Sequence, residues 1–110
     1  MSKEKQLIRQ YFRDACYKRD GFRCAKCGMK SSKDKAEEQL DAHHITDRTL
    51  MPNGGYVKEN GISLCPECHE KAEVFHSTGV PAEGYSPDDL YALIGSNIEK
   101  AILASEKLKS

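Results

Sequence analysis

The sequence predicts a small α+β fold, a stapled centre of two strands and one helix flanked by an N-terminal and a C-terminal α-helix. Three observations predict it. Two Cys-x2-Cys pairs, Cys24/Cys27 and Cys65/Cys68, bracket the middle of the chain. Short strand-like stretches lie between the pairs. Apolar residues recur at helical spacing towards both ends.

The chain has 110 residues, enough for a single domain over 1–110. A core this small calls for a staple. At 38% hydrophobic and 31% charged residues, the composition excludes a disordered chain. It has no apolar run long enough for a membrane span and no apolar leader after Met1, so the expected compartment is the reducing cytoplasm. An odd count of five cysteines there points to metal ligation and away from disulfides. The net charge of zero hides an asymmetry. Residues 1–35 hold 11 Lys and Arg against 4 Asp and Glu, and residues 36–110 hold 6 against 13. A basic first third suits a polyanion such as DNA, and equally a solvated helix face.

The first element is a basic helix within 1–20. Leu7, Ile8, Tyr11, Phe12, Ala15 and Cys16 form its stripe, and Asp20-Gly21 stops it. Cys24 to Gly28 is a tight knuckle, and the polar residues 29–38 read as an exposed loop. Gln39 to Ile45 is a strand, with Leu40, Ala42 and His44 on one face and Asp41, His43 and Ile45 on the other. Arg48 to Asn60 is a loop turning at Pro52-Asn53-Gly54-Gly55. Ile62 to Leu64 is the second strand. A helix starts at Pro66 and runs to Phe75 or His76, closing the central unit over 22–77. After a connector at Gly79 to Gly84, Ser86-Pro87-Asp88-Asp89 caps one last helix over 86–108. Its stripe is Leu90, Leu93, Ile94, Ile98, Ala101 and Ile102.

A two-residue spacer lets one turn present two thiolates to one ion. Four thiolates satisfy the tetrahedral preference of zinc and leave no open position, so Cys24, Cys27, Cys65 and Cys68 read as a structural Zn2+ site. One ion there folds residues 28–64 back into a hairpin. Such sites supply on the order of 10 kcal/mol of apparent folding free energy. Cys16, on the helix stripe, reads as a small core residue.

Between the pairs lie Asp41-Ala42-His43-His44-Ile45 and Glu59-Asn60-Gly61-Ile62-Ser63-Leu64, the latter running into Cys65-Pro66-Glu67-Cys68-His69. From Phe22 to about His76 the order resembles the HNH endonuclease family, whose ββα-metal motif sits in a treble-clef-like zinc frame in many members. The resemblance implies that His43 binds a catalytic divalent metal and that His44 is the general base. It implies that Asn60 braces the loop and orients the base, that His69 is a second metal ligand, and that Glu73 is a candidate third. It implies hydrolysis of DNA to a 5′ phosphate and a 3′ hydroxyl. Its small stand-alone members, found in phages and mobile elements, would place the chain in a bacterial or phage-infected cell.

The residue types fit that chemistry on their own terms. Adjacent strand residues face opposite ways, so His43 and His44 cannot both bind one ion. Residues 69 and 73 share a helix face. A neutral imidazole accepts a proton near neutral pH. Imidazole ligands accept Zn2+, Ni2+ or Mn2+, and Mg2+ is abundant. Arg48, Arg23, Lys26 and Arg19 are candidate phosphate contacts. No separate recognition domain fits in the chain, so specificity is weak or comes from a homodimer or a recruiting protein partner. The competing reading is a catalytically silent zinc module that binds nucleic acid or protein. A redox thiol protein is a third.

Overall fold

The computed structural model describes residues 2–108. Helix α1 spans Lys3–Arg19, capped by the Ser2 hydroxyl, which accepts from the Lys5 N–H at 3.2 Å. Its buried residues are Phe12, Cys16 and Tyr17. The expected stripe holds only in the second half of the helix: Leu7 is 51% and Tyr11 68% exposed, because α1 reaches past the sheet before it meets the core. Its C-terminal end is pinned to the centre. The Asp20 carboxylate accepts from Arg19 Nε and Nη2 at 2.8 Å and from the Ser63 N–H at 2.9 Å.

The knuckle at Cys24 folds as expected, with the Gly28 N–H returning to the Cys24 carbonyl at 2.9 Å. The following loop contains one short helix, α2, Ala36–Gln39, which buries Ala36. Strand β1, Asp41–His44, pairs antiparallel with β2, Gly61–Leu64, in the register Asp41↔Leu64 to His44↔Gly61. The connection is a chain of 3-10 turns at Arg48–Leu50, Pro52–Gly55 and Lys58–Asn60. Every residue of β2 is buried, since it lies between α1 and the core. Gly61 is required there: a Cβ at this position would come within 2.5 Å of Cys16 Sγ and the Phe12 ring.

Helix α3, Pro66–Thr78, begins with Cys65 as its cap and ends at Gly79. The last helix departs from expectation. In place of one helix over 86–108, α4 covers Pro87–Leu93 and α5 covers Ile98–Glu106. Gly95 takes a positive φ of 67°, and Asn97 caps α5 by accepting from the Lys100 N–H at 2.8 Å. The first helix is thus stopped and the second started within a few residues. The break also frees Ser96 to bond the Glu59 carbonyl at 2.8 Å. Helix α5 then clasps the 52–55 turn. Ser105 Oγ donates to the Pro52 carbonyl and accepts from the Gly55 N–H, while the Asn53 amide reaches the Ser105 and Leu108 carbonyls. Among the described residues, no helix is long and apolar enough to cross a membrane.

Candidate metal centre

The two cysteine pairs converge. One knuckle follows α1 and the other opens α3, and β2 links them, with the Ala25 N–H bonded to the Ser63 carbonyl at 2.8 Å. The four Sγ atoms lie within 4.8 Å of one another, and none forms a disulfide. Zinc–sulfur bonds of ~2.3 Å in a tetrahedron put sulfurs about 3.8 Å apart; Cys27 and Cys65 Sγ stand 3.7 Å apart. The donor set therefore fits zinc. Burial raises the Cys24 thiol, but backbone N–H donors from Cys27, Cys65 and Lys26 outweigh it and bring it down to about 7. The same knuckle amides favour a thiolate.

A second cluster lies across β1 and α3. Donor atoms of His43, His69 and Glu73 fall within 4.8 Å of one another. Glu73 Oε1 is 3.2 Å from His43 Nδ1 and 3.1 Å from His69 Nε2. His43 is 1% exposed, and its buried Nδ1, although 3.2 Å from Glu73 Oε1, is not aligned for a hydrogen bond with it or with any other group. A buried, unsatisfied imidazole nitrogen is costly unless it meets a donor or a cation. Burial, with His69, His76 and His44 adding to it, holds His43 down to about 3, so its ring stays neutral and offers a lone pair. Behind His69, the Asp41 carboxylate stands 3.2 Å from Nδ1. This carboxylate–histidine arrangement orients a ligand and raises its basicity. The donors, two nitrogens and one carboxylate, leave coordination positions open.

His44 lies apart from that cluster, as the alternation of β1 requires. Its ring stacks on Phe12 at 4.6 Å and meets Tyr56 edge to face at 4.7 Å. Its Nε2 is buried without a partner. Burial first, then the Arg48 cation, lowers its pKa to about 4, with Asp47 opposing. His76 ties the two histidines together. Its ring stacks on His43 at 5.1 Å, and its Nε2 donates to the His44 carbonyl at 2.9 Å.

Asn60 is fully buried and saturated. Its Oδ1 accepts from the Thr46 N–H at 3.0 Å and the Tyr91 hydroxyl at 2.7 Å, and its Nδ2 donates to the Thr46 and Gly55 carbonyls. It fixes the backbone two residues after His44 without touching the His44 ring. The candidate phosphate contacts divide. The Arg19 guanidinium is taken up by Asp20 and the Lys58 and Gly61 carbonyls. Arg23 is exposed beside the first cysteine knuckle, and Lys26 lies over the Tyr85 ring. Arg48 is exposed and donates to the Tyr56 hydroxyl at 3.1 Å.

Residues 24–74 match the family model described as HNH endonuclease. Over that segment the chain resembles an HNH endonuclease domain. No curated protein and no solved structure matches the chain. The HNH match begins at Cys24 and ends just beyond Glu73, so it takes in both clusters, His44 and Asn60. Asp41, His76 and Tyr56 were not singled out from the sequence as contributors to the HNH site. A signal existed for Asp41, which lies two residues before His43 and so on the same strand face. None existed for Tyr56, whose place depends on how the 48–60 loop folds.

Proposed function

We propose that this HNH protein is a metal-dependent endonuclease that hydrolyses phosphodiester bonds in DNA. One observation carries the reading: a second potential metal cluster, His43, His69 and Glu73, stands apart from the four cysteines and keeps open positions. His43, His69 and Glu73 would hold a divalent cation, which would supply Lewis acidity to the scissile phosphate. His43 and His69 offer neutral nitrogens, Glu73 adds a charge, and Asp41 orients His69. His44 is the general base. Burial keeps it unprotonated at neutral pH, and the His76 bond to its carbonyl and the Asn60 brace at Thr46 fix the main chain that follows it. Arg48, Arg23 and Lys26 contribute phosphate contacts that position the strand without reading sequence. A homodimer or a recruiting partner provides specificity, and the setting is the cytoplasm of a bacterial or phage-infected cell.

One observation favours a second reading, a silent zinc module. His44 packs between Phe12 and Tyr56 as a core side chain would. A plasmid-cleavage assay with Mg2+, Mn2+, Ni2+ and Zn2+ separates the two. The nuclease predicts cleavage that drops by about 10²–10⁴ in His44→Ala and also falls in His69→Ala. Intact plasmid under every metal, with zinc bound and the fold retained, selects the silent module.

A further inference from the structure

Between α1 and the 48–56 segment runs an open groove of about 470 Å³. Lys5 and Arg9 line it from the helix and Arg48 and Tyr56 from the loop, with Ile8 as an apolar wall. No Asp or Glu is among the described residues that line it. In a chain of zero net charge, three cations without an acid are a local concentration of positive potential.

The tyrosine organises the cations. The Arg9 guanidinium lies over the Tyr56 ring, 5.4 Å from its centroid, and Arg48 Nη1 donates to its hydroxyl at 3.1 Å. Other arginines of the first helix are used differently. Arg13 pairs with Glu37 and Arg19 with Asp20, whereas among the described residues Arg9 and Arg48 form no salt bridge. Two guanidinium forks are thus held in place by an aromatic ring, with most of their N–H donors unspent. That is the geometry for bidentate contact with phosphate oxygens. Tyr56 also packs edge to face on His44, so the groove floor adjoins the proposed base. The volume falls in the ~300–1,000 Å³ range of ligand-sized clefts, which suits a nucleotide-scale stretch of backbone and not a duplex.

We propose that this groove seats the phosphodiester backbone of one DNA strand beside His44, with Arg9 and Arg48 gripping phosphates and Tyr56 as their shared support. The proposal rests on DNA as the substrate of the HNH site. It assigns the strand a path across α1, outside the segment that matches the family model.

The test is fluorescence anisotropy with a labelled single-stranded oligonucleotide, using the zinc-loaded full chain over a series of salt concentrations, without added second metal. Arg9→Gln/Arg48→Gln is expected to lose roughly tenfold in affinity. Its log–log salt slope should become shallower by about 0.7 per lost phosphate contact. Tyr56→Phe, which only releases Arg48, should lose about threefold. Zinc content and the thermal melt, read on every variant, should match the parent, since both arginines reach solvent. An equal loss in Lys33→Gln/Lys35→Gln, outside the groove, would show diffuse attraction and overturn the assignment. So would an unchanged salt slope in the double variant, or no binding by the parent chain. The two proposals fail separately. Groove-dependent binding with uncut plasmid keeps the groove and removes the nuclease. Cleavage that ignores both arginines keeps the nuclease and removes the groove.

Discussion

The two clusters of potential metal ligands are joined through one short strand pair and are built in opposite ways. The cysteine centre draws its donors from two local knuckles, each a few residues long, and three of its four thiols are buried. The His43–His69–Glu73 cluster draws on a strand and a helix, and its carboxylate is half exposed. A set of four like donors closes around its ion, while a mixed set of three with one side in solvent does not. The contrast teaches that ligand number and exposure, more than ligand identity, separate a site that holds the chain together from one that can exchange ligands.

Breaking the closed side should have the largest effect. Cys65→Ala removes a zinc ligand and should unfold the centre, on the order of 10 kcal/mol being at stake. Zinc stoichiometry and far-ultraviolet circular dichroism would register the loss, while His69→Ala should leave both unchanged. A His69→Ala protein that also loses its zinc would erase the distinction between the centres.

Acid should act next. His43 and His44 are held at about 3 and about 4 in the fold, against 6.5 unfolded. The unfolded chain therefore binds more protons below pH 6.5, so the stability present above that pH is lost as it falls towards 4 and then 3. In His44→Phe, the slope of unfolding free energy against pH in this window should lessen by about one proton. Urea titrations across pH measure it, and an unaltered slope would mean that His44 is not kept neutral by its surroundings.

Asn60→Ala strips partners from Thr46, Gly55 and Tyr91 together and should destabilise by about 3 kcal/mol, read from chemical denaturation. A cost below that of an ordinary surface change would deny Asn60 its bracing role. The smallest effect sharpens the open side. Asp41→Asn should weaken binding of a second divalent ion by about 10–100-fold without altering zinc content or the melt, as isothermal titration calorimetry on the zinc-loaded chain would report.

What could be read from the sequence was what local spacing encodes. Cys24 to Cys27 and Cys65 to Cys68 each make their own turn, so the thiolate cluster was legible from spacing. That His43 would meet His69 and Glu73 came from the resemblance to HNH endonucleases, because no local spacing ties the two histidines together. The break at Gly95 and Asn97 was written in the sequence too, but an apolar stripe counted across it from Leu90 to Ile102 concealed it. Other features depend on packing that spacing does not express. Leu7 and Tyr11 keep helical rhythm yet lie beyond the reach of the sheet, and Tyr17, off the stripe, is buried with its hydroxyl on the Leu40 carbonyl. Tyr56 meets Arg9 and His44 only because the 3-10 turns that precede and follow it fold the loop back over α1.

Cys65 carries two duties at one atom. Its sulfur belongs to the thiolate cluster and also accepts the Cys68 N–H as the cap of α3, one turn before His69. On the proposed reading, loading would have an order: zinc would come first, since Cys65 both belongs to the thiolate cluster and caps the helix that presents the imidazole. A chain deprived of the first ion would then lose affinity for the second, so the two proposed cations would bind in sequence and not independently.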